Sequence, residues 1–82
     1  MPRYYFHVQD GIDFPDLTGH ECRDLAAAQR MAVRLAGDLI RELGTDLWID
    51  GHWQMNVTDD NQLTLFCLMF TAVNSPAMAL HR

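Results

Sequence analysis

Between Asp24 and Gly44 an apolar residue returns every third or fourth position: Leu25, Ala28, Ala32, Leu35, Ala36, Leu39 and Leu43. That spacing puts them on one stripe of an α-helix, with Arg30, Arg34 and Arg41 gathered on the opposite side. Asp24 is suited to accept from the first free N–H groups as an N-cap, and Gly44 to the C′ position that ends a helix. A helix over about 24–43 is a rod of roughly 30 Å. A stripe of that length needs a broad apolar surface to lie on, and the flanking segments must supply it.

They read as strands. In Arg3 to Gln9, residues Tyr4, Phe6 and Val8 alternate with Arg3, Tyr5, His7 and Gln9. Asp10-Gly11 signals a turn, DGIDFPD over 10–16 is a polar loop, and Leu17 to Cys22 fits a short returning strand weakened by Gly19. After the helix, Leu47, Trp48 and Ile49 are expected to anchor a connection on the core. His52 to Thr58 alternates with Trp53, Met55 and Val57 inward, and Asp59 to Gln62 is a hairpin turn with Asn61 its expected left-handed residue. Leu63 to Phe70 is the last strand. The order β-β-α-β-β predicts an α+β fold: a four-stranded antiparallel sheet with the one helix packed on one face. Residues 1–72 form a single αβ domain, and 73–82 a C-terminal tail, either flexible or with a helical turn begun by Ser75-Pro76.

The last strand breaks the rule that a half-covered sheet alternates apolar and polar. With Leu65, Cys67 and Met69 assigned to the helix side, Phe66, Leu68 and Phe70 point outward, beside Tyr5 and His7. An apolar face of this kind marks a partner surface. A domain of 82 residues has a narrow stability margin that a partner chain widens. The expectation is a homodimer or a contact with another protein through Tyr5, His7, Phe66, Leu68 and Phe70; the competing expectation is that Met78 and Leu80 of the tail fold over that face.

The composition excludes several chemistries. All six basic side chains are arginine, so there is neither a Schiff-base lysine nor a P-loop. Ser75 is the one serine and stands in no G-x-S-x-G. A net charge of −5 opposes a sequence-independent grip on nucleic acid. The longest apolar run, Leu65 to Phe70, is far short of the roughly 20 residues that span a bilayer, and the N-terminus has no apolar signal core. A reduced, cytoplasmic protein without enzyme activity or cofactor is expected. Cys22 and Cys67 are too few for a disulfide framework and leave a single Cys22–Cys67 bridge as the one pairing open. His7, His20 and Cys22 make the one constellation of metal-ligand type, provided that a hairpin sets His7 opposite His20; no ligand-spacing motif supports it, and surface histidines near a small buried thiol are the plainer reading. Asp10, Asp13 and Asp16 lack the calcium-loop pattern and read as turn residues. The arginine stripe reads as a solvated helix face partly offset by Asp38.

The opening MPRYYFHVQDG, with Pro15-Asp16, Gly19-x-Glu21, Asp24-Leu25-x-x-Ala28, Asp46-Leu47-Trp48 and Val57-Thr58-Asp59, resembles domain-of-unknown-function family 6894, small bacterial proteins, over about residues 1–70. The chain departs from it with Asn61 where a glycine is usual and with a longer apolar tail after Phe70. The resemblance implies the extent of the domain and its β-β-α-β-β order and carries no catalytic or binding residue. Phe14-Pro15-Asp16-Leu17-x-Gly19 before an alanine-rich helix is also similar, over about 20 residues, to HicB-type antitoxins, which bind a toxin RNase. It lacks their second proline and G-D-T-x-E-E-A stretch. That likeness implies a small acidic domain acting by contact with another protein.

Overall fold

The computed structural model describes residues 1–81. Strands β1 (Arg3–Gln9), β2 (Asp13–Phe14) and β3 (His20–Glu21) precede helix α1 (Leu25–Leu43), and a 3-10 turn at Gly44–Asp46 leads into the one-turn helix α2 (Leu47–Asp50). Strands β4 (His52–Thr58) and β5 (Thr64–Thr71) follow, then a 3-10 helix at Pro76–Leu80. The sheet is antiparallel in the order β2-β1-β4-β5, with β3 also on β1. This is the expected α+β arrangement, with five strands in place of four: the returning strand over Leu17 to Cys22 is shortened to β3, and β2 lies within the segment 10–16 that reads as a loop. No helix among the described residues is long and apolar enough to cross a membrane.

The helix forms where its end signals place it. Asp24 accepts the N–H of Ala27 at 2.8 Å, and the N–H of Gly44 reaches the carbonyl of Ile40. Ala28, Ala32 and Ala36 are the fully buried positions of α1, against Trp53, Met55 and Val57 of β4. Alanine lets the helix backbone approach the sheet closely, and α1 packs on β4 and β5. Tyr4 and Phe6 of β1 and Cys22 complete the core. Leu47 joins it, whereas Trp48 and Ile49 of the expected anchor are exposed, because the single turn of α2 can bury one side only.

The hairpin between β4 and β5 corrects the assignment of the last strand. Thr58 pairs with Thr64 but Val57 pairs with Phe66, so Leu65 is an extra residue in a β-bulge. Beyond it Met55 lies opposite Leu68 and Trp53 opposite Phe70. Cross-strand partners share a face, so Phe66, Leu68 and Phe70 lie on the helix side, and Cys67 and Met69 on the outer side. Phe66 and Leu68 pack on the core, and the Phe70 and Trp53 rings are 5.5 Å apart. In the turn, the left-handed residue is Gln62, not Asn61: the Asp59 carboxylate accepts the N–H groups of Asn61 and Leu63, and the Asp59 carbonyl accepts that of Gln62.

The tail does not cover the outer face. Val73 through His81 are all exposed, and Ser75 caps the terminal 3-10 helix by accepting the N–H of Ala77. The radius of gyration, 15.1 Å, exceeds the ~12 Å of a compact chain of this length, and the chain is elongated, with extents of 53 × 21 × 19 Å.

Candidate functional site

Asp16 organises the polar side of the sheet. Between β2 and β3 the edge of β1 has no strand partner at Phe6, and the Asp16 carboxylate takes that place. Its Oδ2 accepts the N–H of Phe6 at 3.1 Å, and its Oδ1 those of Thr18 at 3.1 Å and Gly19 at 2.9 Å. Partial burial by itself raises the Asp16 pKa, but the three N–H donors, of Gly19, Phe6 and Thr18, and the nearby His20 outweigh it and hold the carboxyl below its ordinary value.

His7 is held from both sides. The N–H of Asp16 donates to its Nδ1 at 3.0 Å, which makes Nδ1 an acceptor and leaves Nε2–H to donate to Oγ1 of Thr58 at 3.1 Å. The ring stacks on Tyr5 with centroids 6.3 Å apart. The Tyr5 hydroxyl donates to Asp60 at 3.2 Å; desolvation first, and then that carboxylate, raise the phenol above its ordinary pKa. Tyr5, His7, Asp16, Thr58 and Asp60 border a shallow hollow of about 540 Å³. With both imidazole nitrogens bonded within the chain, His7 acts here as a brace between the β2–β3 connection, at Asp16, and β4, at Thr58.

The candidate metal ligands are not brought together. His7 lies opposite Asn56, and it is Tyr4 that faces His20. The His20 ring meets Phe6 edge-on at 5.6 Å, and Cys22 is buried in the core. The assumed hairpin register fails because β3 pairs with the start of β1, three residues before His7. Among the described residues no group of three His, Cys, Asp or Glu side chains is placed to hold a metal ion. Both thiols are free, Cys67 being exposed on β5.

The five residues expected to form an outer contact face divide between the two sides of the sheet. Tyr5 and His7 are outside, while Phe66, Leu68 and Phe70 are on the helix side. The outer surface is polar along β4, where Gln54 donates to Asn56 at 2.7 Å and the Cys67 thiol donates to the same oxygen at 2.9 Å. Of the exposed apolar groups, Leu65, Met69 and Phe70 of β5, followed by Val73, gather along the border strand, while others such as Ile12, Leu17, Val33 and Ile49 are spread over the loops and helices. The charge pattern could have marked this strand, since no ionisable side chain occurs between Asp60 and His81 other than Cys67.

No curated protein and no solved structure matches the chain. The HicB-type likeness of Phe14 to Gly19 is not shown by these comparisons. A family model does match, over residues 3–71, from the start of β1 to the end of β5. The chain belongs to the family described as a domain of unknown function, DUF6894.

Proposed function

We propose that the chain is a non-enzymatic contact domain that pairs with a second copy of itself along the free border of β5. The observation that carries this reading is the character of that border. β5 is eight residues long, hydrogen-bonds to β4 alone among the described strands, and has neither a charge nor a proline. A strand border of this kind presents unpaired N–H and C=O groups, and monomeric proteins usually blunt it with lysine, proline or a covering segment. The bulge at Leu65 lies near one end only, leaving Phe66 to Thr71 regular. Leu65, Met69 and Phe70 surround the border with exposed apolar surface. Two copies, each of net charge −5, repel over most of their surface; the uncharged stretch on β5 is where they meet at least electrostatic cost. The internal bonding of His7 supports a structural role for it and so favours contact over catalysis.

Light scattering at micromolar concentration tests this. The expected mass is twice the 9.4 kDa of one chain. Leu65→Lys combined with Met69→Lys, both at exposed positions, is expected to return the monomer mass with an unchanged far-ultraviolet circular dichroism spectrum. A wild-type chain that scatters as a monomer overturns the proposal.

A further inference from the structure

The alanine-mediated seating of α1 on β4 and β5 leaves the helix-side surface at Val8 of β1 and Phe14 of β2 incompletely roofed, while Tyr4 and Phe6 of β1 are buried. Two adjoining hollows, of about 470 and 460 Å³, open there and share Val8, Phe14, Leu39 and Glu42. The first has Leu43 and Trp53 in its wall, and the second continues past Leu35 and Met55. Phe14 is more than half exposed over this groove. The rim is acidic: Asp10, Glu42 and Asp46 border the first hollow, and Asp38 joins Glu42 at the second, which Asp16, engaged with β1, and His20 also line. None of Asp10, Asp38, Glu42 and Asp46 has an ion-pair partner among the described residues. Asp38, whose sequence position suggested an offset to the arginine stripe, borders the groove instead.

We infer that this groove binds a basic amphipathic segment of another protein, its apolar side chains against Phe14, Leu39 and Leu43 and its arginines or lysines against Asp10, Glu42 and Asp46. An apolar floor with charges of one sign around it selects a ligand of the complementary pattern. A second copy of this chain is disfavoured there because it adds its own negative charge to an acidic rim. No residue of β5 lines the groove, which approaches that strand only through Trp53, packed on Phe70, so the inference does not rest on self-pairing.

The test titrates the isotope-labelled full chain with three synthetic peptides, followed by amide chemical shifts: an amphipathic leucine–arginine helix, the same peptide with glutamate for arginine, and residues 73–82 of this chain. The leucine–arginine peptide is expected to shift the amides of Val8, Phe14, Leu39 and Leu43, with binding that weakens as salt rises. Glu42→Gln with Asp46→Asn is expected to weaken it about tenfold, and Phe14→Ala to weaken it while leaving the remaining spectrum folded. Equal binding of the glutamate peptide, shifts confined to other surfaces, or no shift overturns the inference. Tighter binding of the 73–82 peptide also overturns it, by assigning the groove to this chain's own tail.

Discussion

The backbone N–H of Asp16 donates to Nδ1 of His7 at 3.0 Å, while the Asp16 carboxylate accepts the N–H of Phe6, the residue before His7, at 3.1 Å. One residue of the loop thus satisfies both a main-chain and a side-chain group of β1. A polar loop that would otherwise be loosely attached becomes part of the sheet, and the left-handed turn at Gly19 follows from the same carboxylate. Asp16→Ala removes the acceptor for three N–H groups, that of Phe6 being partly buried. An orphaned buried donor costs about 1–3 kcal/mol, so urea denaturation is expected to show a loss of that order. Asp16→Asn keeps one acceptor oxygen and is expected to lose less. Hydrogen exchange should locate the damage in 13–21, with α1 unaffected.

The same carboxylate makes stability depend on acid. Its folded pKa lies below the ordinary value, which is about 3.9 in an unfolded chain. A depressed carboxyl contributes stability that is present above the unfolded pKa and is lost as the pH falls through the folded value. Tyr5 works in the opposite sense: its pKa is raised, so its contribution is present below the unfolded value of about 10 and is lost as the pH rises through the folded one. Denaturation midpoints across the pH range are expected to fall less steeply in acid for Asp16→Asn than for the wild type, and less steeply in alkali for Tyr5→Phe.

The bulge at Leu65 decides which side chains of β5 support the fold. Leu68 packs on the core opposite Met55, whereas Met69 is 65% exposed. Leu68→Ala is expected to cost about 2 kcal/mol, the low end for a leucine that is only partly buried, and Met69→Ala within about 0.5 kcal/mol. Thermal denaturation of the two variants reads the parity of the strand directly; the reverse ranking would place Met69 on the helix side.

How legible each element is in the sequence depends on where its determinants lie. Asp24 and Gly44 act within a turn of the helix ends that they set, and β1 and β4 declare their inward faces by alternation. In β5, Leu65 to Phe70 is apolar at every position, so pattern alone assigns no inward face. Counting back from the hairpin without a bulge pairs Val57 with Leu65 and turns Cys67 and Met69 inward; the one inserted residue reverses every side chain after it. The pairing of Asp13–Phe14 with β1, inside a segment that reads as a loop, was hidden for a different reason. It depends on the bonds from Asp16 to β1, a tertiary relationship that local propensity does not encode. The groove was hidden likewise, because its walls come from β1, β2, α1, the 3-10 turn after it and β4, and its opening depends on where the alanine stripe seats the helix.

Gly19 offers the sharpest check on that loop. Its φ is +74°, and a Cβ there would stand 2.8 Å from Cε2 of Tyr5, 2.9 Å from Cγ of Arg3 and 3.0 Å from the carbonyl oxygen of Tyr4. Gly11 has nearly the same φ, +72°, but the nearest atom to its added Cβ is a carboxylate oxygen of Asp50 at 3.2 Å, at the free end of a side chain that can swing away. Gly11→Ala therefore meets the left-handed backbone cost of about 1–2 kcal/mol and little else. Gly19→Ala meets that cost together with a collision against the backbone and the stacked Tyr5, where relief requires the loop to leave β1. Chemical denaturation is expected to show a larger loss for Gly19→Ala than for Gly11→Ala, and the His7 ring resonances are expected to move in the first variant alone. Equal losses in the two would mean that the loop is not seated against Tyr5 and Arg3, and the Asp16–His7 bond would go with it.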